Sequence, residues 1–161
     1  MEANQQYLLD IHRKTDNKIE TLREYAEQNA VPIVDRLSLE MIKQLIRIHH
    51  AKNILEIGTA IGYSSMQFAS VSNDIHITTI ERDEKMITQA KSNFETYGYS
   101  SQIRLIEGNA LEQYNKVSDK QYDIIFIDAA KAQSKKFFEY YTPLLRLSLI
   151  HISERAGKAD R

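Results

Sequence analysis

A chain of 161 residues, 42% hydrophobic and formally −1 at pH 7, is sized for one folded unit with a sizeable core. It has no cysteine, which excludes a disulfide framework and a thiolate zinc site. Its 21 basic and 22 acidic residues create no global field for nucleic acid, so an RNA partner would need a local patch.

The N-terminal segment is polar and helix-compatible, carrying Tyr7, Leu8, Ile11, Ile19, Leu22 and Tyr25 before a break at Val31-Pro32. Its first residues, Met1-Glu2-Ala3-Asn4-Gln5-Gln6, lack the apolar stretch of a signal peptide, and no later run is long enough to span a membrane. The expected location is the cytoplasm. A second helix is expected after Asp35 or Ser38, burying Leu39, Ile42, Leu45 and Ile46.

Beyond it, short apolar runs alternate with longer amphipathic ones. Strands are expected over 53–57, 75–80, 103–106 and 122–127, and helices near 62–72, 83–97, 110–117 and 133–146. Asp83 is a candidate N-cap for a helix whose Met86, Ile87, Ala90 and Phe94 keep helical spacing until Gly98 stops it. Such alternation predicts an α/β fold: a Rossmann-like parallel sheet joined by right-handed crossovers, with helices on both faces. Ile124-Ile125-Phe126-Ile127 reads as a strand buried on both sides. No repeat, low-complexity tract or linker divides the chain, so one domain is expected over 1–161. Within it a helical cap covers 1–52, a cofactor-binding core 53–146, and an atypical tail 147–161.

In open α/β sheets ligands sit beyond the carboxyl ends of the strands, and these ends are acidic or glycine-rich here. The first run closes with Glu56-Ile57-Gly58-Thr59-Ala60-Ile61-Gly62-Tyr63-Ser64, two glycines four residues apart and then a helix start. That pattern lets backbone amides approach a ligand. It is not the G-x-G-x-x-G of dinucleotide binders, because Ala60 holds the middle position, which disfavours a dehydrogenase. Glu81 ends the second run a little over twenty residues past the loop, where an acceptor for ribose hydroxyls belongs; alone, a helix N-terminal charge would explain it equally well. Gly108-Asn109-Ala110 and Asp128-Ala129-Ala130-Lys131 end the third and fourth runs. For Asp128 and Lys131 a helix cap and a solvated lysine are the plain alternative.

Taken together, E-I-G-T-A-I-G-Y-S, I-E-R-D and F-I-D-A-A-K resemble the class I S-adenosylmethionine-dependent methyltransferases. The similarity is greatest to the metal-dependent catechol and caffeoyl-CoA O-methyltransferases, and within them to the bacterial branch that methylates 5-hydroxyuridine in tRNA. The resemblance implies cofactor contacts from Val34, Glu56, Gly58, Gly62, Ser64, Glu81, Asn109, Ala110 and Asp128. It also implies a Mg²⁺ site with Asp128 as first carboxylate, and Asp128 and Lys131 as the catalytic pair. A hard cation can chelate two adjacent substrate oxygens and acidify a phenol-like hydroxyl, and Lys131 would take the remaining proton. Catechol offers such an oxygen pair, and so does 5-hydroxyuridine. The implied partners are tRNA or a small phenolic substrate, catechol-like or acyl-CoA, and a second copy of the chain in a homodimer.

Past Leu145 the sequence departs from the resemblance, which calls for a glycine turn, a fifth strand ending in Asp-Asn and two further strands. The expectation is a sheet missing its last strands, with the fourth strand near an edge and Asp128 short of companion ligands. An inactive cofactor-binding fragment is therefore an alternative. His49-His50 is read as a solvated helix end, the tyrosine-rich patches Tyr97-Gly98-Tyr99 and Phe137-Phe138-Glu139-Tyr140-Tyr141 as packing, and Lys135 and Lys136 as solvated.

Overall fold

Periodicity in the first third forms two helices, α1 (Asn17–Gln28) and α2 (Arg36–Ile48). The computed structural model describes residues 17–128, 131–146 and 151–153; Tyr7, Leu8 and Ile11 lie outside them. Asp35 caps α2, its carboxylate accepting from the amides of Leu37 and Ser38 at 3.0 Å, so the helix starts at the first of the two predicted positions. Ile19 and Leu22 of α1 and Leu39, Ile42 and Ile46 of α2 enter the core, whereas Tyr25 stays exposed. His49 is the C-cap of α2, and His50 takes a positive φ of 50° just beyond it, in keeping with a helix end.

The rest is a strand and helix alternation: β1 (Asn53–Ile57), α3 (Tyr63–Ala69), β2 (His76–Glu81), α4 (Glu84–Thr96), β3 (Ile103–Glu107), β4 (Ile124–Ile127), α5 (Lys131–Tyr141) and β5 (His151–Ser153). All pairings are parallel and the strand order is β3-β2-β1-β4-β5. The chain builds outward from β1 through β3 and then crosses back to β4. Strand order therefore reverses between β1 and β4, and a crevice opens at that switch point.

Alternating side chains divide the core. Ile54, Ile77, Ile124 and Phe126 face a layer built from α1 to α4, with Phe68 meeting Phe126 edge-on at 5.4 Å. Leu55, Ile57, Ile80, Ile125 and Ile127 face Phe137, Tyr141 and Leu144 on the other side. β4 is buried on both faces along its whole length, as its unbroken apolar run predicts.

Two expectations are corrected. The segment 110–117 is not an α-helix but two 3₁₀ turns, Ala110–Glu112 and Tyr114–Lys116. It is too short to propagate a helix, and the hydroxyl of Tyr141 donates to the Ala110 carbonyl at 2.5 Å. The last helix also ends at Tyr141 rather than near 146, because Pro143 diverts the chain into a 3₁₀ turn over Thr142–Leu144. The fourth strand does lie near an edge, one strand in from it, with β5 pairing to it through Ile125, Phe126 and Ile127. Of the tyrosine-rich patches, Phe137 and Tyr141 are buried, but Phe138 and Tyr140 are half exposed. No helix among the described residues is long and apolar enough to cross a membrane.

Candidate functional site

The strand ends converge as the topology requires. Past the strands the ladder continues for one more residue: Gly58 donates to the Ile80 carbonyl at 3.0 Å, Asp128 to Ile57 at 2.9 Å and Gly108 to Glu81 at 2.7 Å. These bonds fix where each strand's following residue emerges. They open a cavity of about 400 Å³ whose wall includes Gly58, Ala60, Glu81, Asp83, Met86, Gly108, Asn109, Ala110 and Asp128. Pro32, Gln133 and Phe137 complete it from outside the strand ends.

The loop after β1 alternates into the left-handed region at Gly58 (φ 99°), Ala60 (φ 47°) and Gly62 (φ 82°). Ala60 is a non-glycine held there, a conformation that persists only under external constraint. Glu81 supplies that constraint. One carboxylate oxygen accepts from the Ala60 amide at 2.9 Å, while the other accepts from Arg82 and Asp83 at 2.8 and 3.0 Å. The carboxylate keeps lone-pair capacity toward the cavity. Asn93 pins the same loop by donating to the Ile61 carbonyl at 2.8 Å.

Val34, Glu56, Gly62 and Ser64 are not part of the wall. Gly62 is the N-cap of α3, and a Cβ there would sit 2.3 Å from the Phe94 ring, so close packing is what requires a glycine. Glu56 is 0% exposed. Its carboxylate is held by the hydroxyls of Ser64 at 2.5 Å, Thr79 at 2.7 Å and Ser65, and Thr59 extends the network through Thr79 at 2.6 Å. Asp128 borders the cavity beside the switch point. Among the described residues no group of three or more His, Cys, Asp or Glu side chains could hold a metal ion. The Lys131 side chain lies outside the described residues, as do Ala129 and Ala130; Lys135 and Lys136 are exposed.

Burial lifts the Glu56 carboxyl to about 7, the charge on Asp128 adding to the rise and the three hydroxyl donors opposing it. In the folded chain it keeps its proton up to that pH, whereas an unfolded carboxyl releases it near 4.5. The stability carried by the protonated form is complete below about 4.5, is lost as pH rises toward 7, and stays lost above. The loss is on the order of 3 kcal/mol. Denaturant unfolding at a series of pH values should show this decline in the wild type and a flatter profile in Glu56→Gln. An unchanged slope in the variant would remove Glu56 as its source.

Sequence reading missed Pro32, Asp83, Met86, Gln133 and Phe137 as wall residues. Asp83 and Met86 were legible as the cap and first turn of α4, and the topology alone turns that end toward the cavity. Phe137 carried only a packing signal, and Gln133 none.

Against known proteins, a profile described as O-methyltransferase matches residues 10–154. A crystal structure from Staphylococcus aureus, provisionally designated a caffeoyl-CoA O-methyltransferase, is 65% identical with a TM-score of 0.89, over 94% of this chain and 73% of that one. An O-methyltransferase from Bacillus cereus, solved with S-adenosylhomocysteine, is 30% identical with a TM-score of 0.79, over 89% of this chain and 68% of that one. A catechol O-methyltransferase from Niastella koreensis is 29% identical over 74% of this chain and 57% of its own length. The chain spans 57% to 66% of the first curated relatives. Its parallel α/β sheet is the fold of class I methyltransferase structures. Because the profile runs from the first helix through the last described strand, across every strand end that lines the cavity, the chain belongs to the O-methyltransferase family.

Proposed function

We propose that the protein is an S-adenosylmethionine-dependent O-methyltransferase. The observation that carries the reading is the cavity at the β1/β4 switch point, with the Glu81 carboxylate on its wall beside the loop amide it holds. A carboxylate with spare acceptor capacity suits vicinal ribose hydroxyls, and Met86 and Ala110 add apolar wall for a base. The Bacillus cereus relative bound to S-adenosylhomocysteine supports the same ligand class. Calorimetry with S-adenosylmethionine and NAD tests it: the first should bind, and binding of NAD alone would overturn the assignment.

The acceptor in this proposal is a vicinal di-oxygen group, first the 5-hydroxyuridine of tRNA. The acceptor oxygen attacks the methyl carbon, the carbon–sulfur bond breaks, S-adenosylhomocysteine leaves, and the hydroxyl proton passes to a base, the role given to Lys131. A small catechol or phenolic acyl-CoA is the second reading, favoured by the names of the Niastella and Staphylococcus relatives. Mg²⁺ enters only through Asp128; the described residues do not by themselves make up a cation site, so no step is routed through it. A homodimer belongs to the same reading, and light scattering that returns a monomer removes it. Transfer of labelled methyl to hydroxyuridine-containing tRNA, catechol or caffeoyl-CoA, with and without EDTA, separates the acceptors and the metal requirement. No transfer to any of them, with cofactor binding intact, leaves a binding protein.

A further inference from the structure

We infer that Arg23, on α1, is a positioning residue for the cofactor cavity; the inference rests on the cofactor reading above. Arg23 is a charged side chain only 8% exposed, an environment tolerated when the charge is paired and its donors are used. Its Nε donates to the Tyr63 hydroxyl at 3.1 Å and lies 3.4 Å from Glu20. Its Nη2 donates to the Val34 carbonyl at 3.0 Å, and the guanidinium stacks 4.9 Å from the Tyr63 ring centroid.

These two acceptors belong to two segments that each run on from the cavity wall, the strap carrying Pro32 and the loop after β1. Val34 lies two residues after Pro32, which stands on the wall. The other end of that strap is tied to α1 by the Val31 amide on the Ala26 carbonyl at 2.9 Å. Tyr63 directly follows Gly62 and begins α3, so it ends the loop whose Gly58 and Ala60 form another stretch of wall. One planar fork therefore sets the spacing between strap and loop. A lysine carries its three donors on one freely rotating nitrogen, so it would hold the two acceptors less firmly in register than the planar fork does.

Calorimetry with S-adenosylhomocysteine on the full chain tests this, run in the cold with circular dichroism confirming that each variant is folded. R23M should bind about 10-fold or more weakly, the size expected for losing charge-assisted bonds. R23K should fall less, and Y63F, which keeps the grip on Val34, least. If R23M does not fold, R23K binding more weakly than Y63F supports the inference. Lowered melting temperatures with unchanged affinity across the folded variants would assign Arg23 a merely structural role and overturn it. A wild-type chain that binds no S-adenosylhomocysteine overturns the cofactor reading and this inference with it, a result distinct from wild-type binding matched by the variants.

Discussion

Glu81→Ala should weaken S-adenosylmethionine binding about 10- to 100-fold while leaving the fold intact. The carboxylate has two jobs in the structure. It faces the cavity as the acceptor proposed for the ribose hydroxyls, and it holds the Ala60 amide in its left-handed position at 2.9 Å. Hydrogen bonds to a charged group contribute about 1.5–3 kcal/mol each, and 1.4 kcal/mol is a factor of ten in affinity. Removing the side chain deletes the ligand contact and frees the loop at once. Folding is affected less, because Glu81 is partly exposed and its three amide donors can turn to water. Glu81→Gln separates the jobs: the amide oxygen can keep one loop contact but lacks the charge, so it should fall between wild type and alanine. Equal calorimetric affinity in wild type and Glu81→Ala would remove the ribose role.

Gly62→Ala should be the most damaging small substitution in the loop after β1, lowering stability by about 2–4 kcal/mol. A φ of +82° costs an L-residue about 1 kcal/mol. The new Cβ would also lie 2.3 Å from Phe94 Cε1 and 2.7 Å from Cζ, inside the core. The buried ring must shift, which adds about 1–3 kcal/mol of overpacking. For a chain of this size the sum lowers the melting temperature by roughly 5–15 °C. Gly98→Ala is the control. Gly98 has a similar φ of +78° but open space around its would-be Cβ, so it carries the backbone term alone. Thermal melts that fall equally for the two alanines would show that Phe94 relaxes freely and that packing does not explain Gly62.

The same two glycines show how far the sequence reaches. Gly98 was legible as the residue that ends α4, because helix termination is local and the apolar spacing stops there. Gly62 was legible as special but not for the right neighbour: Phe94 lies 32 positions later, and no spacing rule brings it to the loop. Glu56 follows the same pattern. As an acid at the end of an apolar run it invites a ligand role, yet three hydroxyls from α3 and β2 enclose it. Glu81, Asn109, Ala110 and Asp128 were legible as wall residues because they lie at, or within three residues past, the carboxyl ends of strands, and a parallel sheet delivers such residues to one rim.

The sequence by itself determined the strands, the main helices, the caps at Asp35 and Asp83, and the parallel α/β class, because each depends on period and on contacts within a turn. Tertiary structure decided which strand-end residues face the cavity and which lie buried behind it. It placed β5 beside β4, turned 110–117 into 3₁₀ turns, and brought Arg23 between Val34 and Tyr63. Those outcomes depend on side chains far apart in the chain competing for the same space and the same hydrogen bonds, which a one-dimensional pattern does not encode.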